Sequence, residues 1–136
     1  MDKKTLPNDI VLEEAGALLA EGREVCITPK GNSMQPFIRG DRDTVTLKKL
    51  AEIKVGNIVL ARLPSRAYVM HRVIEREGDS LTLMGDGNIR GTERCTTGDV
   101  MGTVVLINKR KPGNGALWRR LKPFRRIILG IYRRII

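Results

Sequence analysis

The sequence predicts a mainly β fold: a compact antiparallel domain with one N-terminal helix and a basic amphipathic C-terminal tail. Three observations predict it. From Glu24 onward, short runs rich in Val, Ile and Thr alternate with Gly, Pro, Asp and Asn, the pattern of strands joined by tight turns. No long helical pattern is interleaved with those runs, which argues against a doubly wound parallel sheet. Ten of the 25 Lys and Arg fall between positions 109 and 134, beyond the last acidic residue, Asp99.

Taken in order, Asn8 or Asp9 can cap a helix over about residues 8–21, in which Ile10, Leu12, Ala15, Leu18 and Leu19 recur at roughly helical spacing. Gly22 is its stop signal. The strand candidates are EVCIT, TVTLK, NIVLARL, AYVMHRVIE, SLTLMG and DVMGTVVLI. Between them, PKGNSMQP, RGDRD and MGDGNIRG read as turns, where polar chemistry can sit on a rigid frame. KRKPGNGA, residues 109–116, has linker composition. The expected division is a β domain over 1–108, a linker over 109–116 and a tail over 117–136.

At 136 residues there is room for one core. The 15 basic residues outside the tail balance the 15 acidic ones, so the tail holds the whole net charge of +10. That asymmetry points to a polyanionic surface as a partner and says little about the fold. MDKKTLPNDI lacks the apolar run of a secretory signal, and two cysteines, Cys26 and Cys95, do not make a disulfide framework. A reduced, cytoplasmic setting is expected. No run reaches the ~20 apolar residues of a membrane span.

His71 is the only histidine. Strand alternation sets Val69, His71 and Val73 on one face and Tyr68, Met70 and Arg72 on the other. An imidazole there can be a buried group satisfied by a carbonyl, or a base. Ser33 lies in GNSMQP, where a hydroxyl is ordinary turn chemistry unless an adjacent base takes its proton. One His and two distant Cys do not suggest a metal site, Cys95 reads as a small hydrophobe, and no cofactor is expected. Asp41, Asp43 and Asp99 read as turn residues.

Together the segments are more specific than any one of them. GNSMQPFIRGD, VGNIVLARL, YVMHRVIE and LMGDGN follow the order and approximate spacing of signal-peptidase-like serine peptidases of the S24/S26 superfamily. LexA-like self-cleaving repressors also resemble that family in fold. The resemblance covers about residues 28–105. It implies Ser33 as nucleophile, with Met34, Pro36, Gly40 and Asp41 completing its segment, and His71 followed by Arg72 as the base-bearing pair. This version is similar to the endoplasmic-reticulum and archaeal signal peptidases, in which histidine stands in place of the bacterial lysine. Gly85, Asp86 and Asn88 match the Gly-Asp-x-Asn segment.

Two departures bear on activity. Many relatives carry a serine where this chain has Gly31, so the oxyanion would fall to the Ser33 N–H, with Asn32 beside it. The acid expected after Gly-Asp-x-Asn is displaced in IRGTERC, leaving Asp86 and Glu93 as alternative third catalytic members. The resemblance implies a peptide or preprotein bound as an extended strand between the Ser33 segment and the His71 strand, with Met34, Phe37, Val69 and Met70 lining shallow pockets. A domain that binds a peptide without cutting it, and a self-cleaving regulator using the Ala15-Gly16 pair, are the other readings.

In the tail, Leu117, Leu121, Phe124, Ile128, Ile131 and Ile135 recur in steps of four and three, with Arg119, Arg120, Lys122, Arg125, Arg126, Arg133 and Arg134 between them. That pattern suits an anionic membrane surface, on the inner face of the cell membrane, more than nucleic acid, which would leave the isoleucines idle. A tail folded back onto the domain is the alternative. Pro123 and Gly130 argue against one unbroken helix.

Overall fold

The computed structural model describes residues 4–5 and 9–135. Its elements run β1 (Lys4–Thr5), α1 (Asp9–Ala20), β2 (Val25–Thr28), β3 (Val45–Lys48), β4 (Ile58–Arg62), β5 (Tyr68–Glu77), β6 (Ser80–Met84), β7 (Glu93–Thr96), β8 (Val100–Ile107), α2 (Ala116–Arg120) and α3 (Arg125–Ile135). The strands form one mainly antiparallel half-barrel in the order β1-β2-β3-β8-β4-β5-β6-β7, with β1 alone parallel to its neighbour. Each predicted strand segment forms a strand. β7 and β1 were not anticipated, because ERCT and KT are too short and too polar to show a period of two.

The helix predicted over 8–21 is α1. Asn8, one of its two proposed caps, lies outside the described residues. The C-terminus closes as Gly22 prescribes: with φ of +86° it lets its own N–H reach the Leu19 carbonyl and the Arg23 N–H reach Leu18. This is the paired closure that favours glycine just past a helix. Of the residues taken as its apolar face, Leu12, Ala15 and Leu19 are buried, whereas Ile10 and Leu18 are exposed. The helix lies on β8, where Gly102 is required: a Cβ there would come within 2.9 Å of Leu19. Ala15 and Gly16 are therefore held inside a packed helix rather than offered as an extended segment.

Two apolar clusters occupy opposite sides of the sheet. Leu12, Leu19, Ile27, Ile38, Val45, Leu47, Leu60 and Met70 form the first, beneath α1. Val59, Ala61, Val73, Leu81, Leu83 and Cys95 form the second. Alternation along β5 divides it as its sequence suggests, Tyr68 and Met70 joining the first cluster and Val69 and Val73 the second.

Residues 109–116 do not behave as a free spacer. The Gly113 carbonyl accepts a hydrogen bond from the Arg72 guanidinium at 3.0 Å, and Gly115 lies so close to that guanidinium that a Cβ would meet its carbon at 2.7 Å. The tail beyond turns at a 3-10 segment, Lys122–Phe124, around Pro123, while Gly130 sits inside an unbroken α3. Trp118, Arg125 and Leu129 are buried against the body; Leu117, Phe124, Ile127, Ile131 and Ile135 face outward. Arg125, expected on the polar face, is thus an inward residue. The carbonyls it meets below are the reason.

Candidate active site

Ser33 and His71 line one cavity of about 220 Å³, together with Leu12, Pro29, Lys30, Gly31, Met34, Ile38, Gly40, Leu60, Tyr68, Val69 and Met70. Ser33 stands at the start of a tight turn, in which Gln35 N–H donates to the Asn32 carbonyl and the Phe37 and Ile38 N–H groups donate to Met34. The turn is closed from outside by the Gly87 N–H, which donates to the Ser33 carbonyl at 2.7 Å. Met34, directly after the serine, is buried, and its sulfur accepts the Asp86 N–H at 3.4 Å.

His71 is delivered by β5, the strand between β4 and β6. Its Nδ1 lies 2.5 Å from Oε1 of Glu93, and the residue is 7 % exposed. The pairing works through β7: register puts Glu93 opposite Leu83 on β6, so the carboxylate reaches diagonally across β6 toward β5. Gly85 follows the last residue of β6, Met84. A Cβ on Gly85 would lie 2.4 Å from the Ser33 carbonyl oxygen and 3.1 Å from Cδ2 of His71. The Ser33 loop and the imidazole therefore approach each other at Gly85, where there is no side chain.

Asp86, the alternative partner for His71, is engaged elsewhere. It is fully buried and bonds Arg72, from Nε at 2.9 Å and from Nη2 at 2.7 Å, in a two-pronged pair. Arg72 also donates to the Gly56 and Gly113 carbonyls. Alternation is the physical reason for the correction: Arg72 leaves β5 on the face opposite His71, and Asp86 follows it. A desolvated carboxylate needs such a cation, and a bidentate guanidinium supplies it.

The residues expected to receive substrate divide. Met34, Val69 and Met70 line the cavity with Ser33 and His71. Phe37 does not: its ring meets Trp118 edge-on at a centroid distance of 6.2 Å and lies under the Arg72 guanidinium at 5.0 Å. It follows Pro36 around the turn and packs on the tail. Asn32 uses its carboxamide oxygen to accept from the Gln35 side chain at 3.2 Å. Gly31 has φ of +86° and nothing within 4 Å of where its Cβ would be, so the space a serine would occupy is open but its backbone favours glycine.

Lys30 and Tyr68 also line the cavity, and neither was singled out; both stand beside residues that were. Arg125, which is buried, and Arg133, which is exposed but bonds Gln35 and Gly87, are further polar residues near the site that the stripe did not reveal, since it records apolarity and not which arginine reaches the body. Among the described residues no group of three or more His, Cys, Asp or Glu is gathered as metal ligands. Burial, with the charges of Asp99 and Glu93, pushes the Cys95 thiol up to about 11. It stays protonated at neutral pH, as a packing residue does.

A search among curated proteins found no match. The family model described as Peptidase S24-like matches residues 3–105, which contain the Ser33 turn, β5, the 85–88 loop and Glu93, and leaves out α2 and α3. The chain belongs to the Peptidase S24-like family.

Proposed function

We propose that this protein is a serine endopeptidase of the signal-peptidase type, of the histidine-using kind, which cuts a peptide or preprotein leader through an acyl-enzyme. The Glu93–His71 pair facing the cavity that Ser33 lines carries the reading. With Nδ1–H donating to Glu93, Nε2 is left as the acceptor for the Ser33 hydroxyl proton. The Ser33 oxygen attacks the scissile carbonyl, forming a C–O bond as its proton passes to His71. The oxyanion is met by the Ser33 N–H; collapse breaks the C–N bond, and His71 returns the proton to the leaving amine. Water then attacks the acyl carbonyl as it passes a proton to the same imidazole; the bond to the Ser33 oxygen breaks, His71 returns the proton to that oxygen, and the acyl group leaves as a carboxylic acid.

The sheet supports an extended substrate. β5 pairs with β4 from Tyr68 to Arg72, but its pairing with β6 begins only at Arg72. Residues 68–71 thus offer backbone groups on the β6 side, beside the cavity, to an added strand. Met34, Val69 and Met70 would contact side chains next to the cut.

The membrane belongs to the same proposal. No helix among the described residues is long and apolar enough to cross a bilayer. The outward stripe of Leu117, Phe124, Ile127, Ile131 and Ile135 lies among arginines, with no acid in residues 100–136 to oppose them. That suits peripheral binding to an anionic leaflet, at roughly 1 kcal/mol per basic residue near the surface, on the cytoplasmic side of the cell membrane.

A fluorophosphonate probe tests the chemistry. Wild type should be labelled on Ser33, Ser33→Ala not at all and His71→Ala at least a hundredfold more slowly. Absence of labelling, with an extended peptide still bound, would favour the second reading, a peptide-binding domain that does not cut. The bare Gly31 is the observation on its side. Sedimentation with phosphatidylserine vesicles, using the full chain and an Ile127→Glu/Ile131→Glu variant, tests the membrane face. Equal binding by both would sink that part. Truncation is a poorer test, because Trp118, Arg125 and Leu129 are buried.

A further inference from the structure

The inner side of the tail makes polar contacts that the chemistry above does not use. Residues 85–88 leave β6 at Met84 and cross between the Ser33 turn and His71. Their carbonyls have lost the sheet, and each accepts a hydrogen bond from the tail. Arg125 Nη1 donates to Gly85 at 3.4 Å and to Asn88 at 3.2 Å, Trp118 Nε1 to Asp86 at 2.8 Å, and Arg133 Nη2 to Gly87 at 3.1 Å. Arg133 has a second arm: Nε donates to Oε1 of Gln35 at 2.9 Å. Gln35 is two residues from Ser33, and Gly87 holds the Ser33 carbonyl. One guanidinium therefore ties together the two loops that meet beneath the nucleophile.

A loop with two glycines in four residues has little rigidity of its own, and buried carbonyls without partners are costly. Its internal bond, from the Asn88 N–H to the Gly85 carbonyl at 3.0 Å, leaves the Asp86, Gly87 and Asn88 carbonyls to donors outside the loop. Placement of a nucleophile against its base tolerates errors of only about half an ångström, and at Gly85 the two elements are already separated by less than a methyl group.

We propose that the C-terminal segment is a brace for the site and that Arg133 is a positioning residue, setting Ser33 against His71 by fastening Gln35 to Gly87. This rests on the reading of Ser33 as nucleophile, but the brace has its own observable.

The test compares full-length wild type with Arg133→Ala, Arg133→Lys and, as a control on an exposed arginine of the same helix, Arg126→Ala. Two quantities are read: amide hydrogen exchange at Gly87, against Leu60 in β4, and the second-order rate of fluorophosphonate labelling from pH 5 to 9. Arg133→Ala should speed exchange at Gly87 about tenfold with Leu60 unchanged, and slow labelling about tenfold across the pH range. Arg133→Lys should recover part of both, since an ammonium can serve one acceptor well, and Arg126→Ala should match wild type. Unchanged exchange at Gly87 overturns the brace. Faster exchange with wild-type labelling overturns the positioning role, leaving a structural contact. A wild-type protein that is not labelled at all defeats the nucleophile assignment instead, and the brace is then judged on exchange alone.

Discussion

Nδ1 of His71 and Oε1 of Glu93 stand 2.5 Å apart, although 22 residues and a whole strand separate them in the chain. The contact chooses between two carboxylates that the sequence left equal. Asp86 lies nearer to His71 in sequence, yet its oxygens are taken by Arg72.

Substituting the two acids should therefore give opposite kinds of damage. Glu93→Gln should slow labelling of Ser33 by 10² to 10⁴-fold while the melting temperature stays near wild type, because the imidazole loses its orienting partner but the fold does not. Asp86→Asn should cost roughly 3 kcal/mol or more of stability, since Arg72 keeps its buried charge without a counterion. Urea denaturation beside the labelling assay checks both. Should Glu93→Gln label at the wild-type rate, Glu93 has no part in the mechanism.

Gly85→Ala is the sharpest steric test. A methyl placed 2.4 Å from the Ser33 carbonyl and 3.1 Å from the His71 ring has to move one or the other. Overpacking of this kind costs about 1–3 kcal/mol, and labelling should fall more than tenfold. A crystal structure of the variant should show the Ser33 loop displaced.

Gly31→Ser would place a hydroxyl where the sequence resemblance expects one, and the space for it is free. The backbone opposes it: at φ of +86° a non-glycine residue costs about 1–2 kcal/mol. The variant should melt several degrees lower. A melting temperature equal to wild type would show that the turn relaxes.

Stability should fall at both ends of the pH scale. Burial alone would raise the Asp43 carboxyl, but the Arg39 N–H, the Asn108 amide and the Arg39 guanidinium outweigh it and hold the group below its ordinary value near 3.8. A depressed carboxyl contributes stability above the unfolded value, and that contribution is lost as pH falls through the folded one. Asp43→Asn should therefore be less stable at pH 7 and show a shallower acid limb. Cys95, raised to about 11, works the other way: stability should decline from about pH 8.5 toward 11 as the unfolded chain ionises first. Cys95→Ala should flatten that limb in a urea titration.

Much of this molecule was decided locally. Short runs rich in valine, isoleucine and threonine, bounded by turn residues, made β3, β4, β5, β6 and β8, and Gly22 ended α1 with the left-handed closure that only a residue without Cβ accepts cheaply. GNSMQP and YVMHRVIE pointed to Ser33 and His71 only together with VGNIVLARL and LMGDGN, through the order and spacing by which the four resemble signal-peptidase-like serine peptidases. What the tertiary structure alone decided concerns partners far apart in the chain. Glu93 rather than Asp86 meets His71, because ERCT forms a strand only by pairing with β6. Phe37 turns to Trp118 and away from the cavity, because the tail packs there. Arg125 turns inward and Arg133, itself exposed, reaches back to the body because the Gly87 and Asn88 carbonyls take their donors from outside their own loop, and an unmet backbone group elsewhere in the fold leaves no mark on the sequence that will satisfy it.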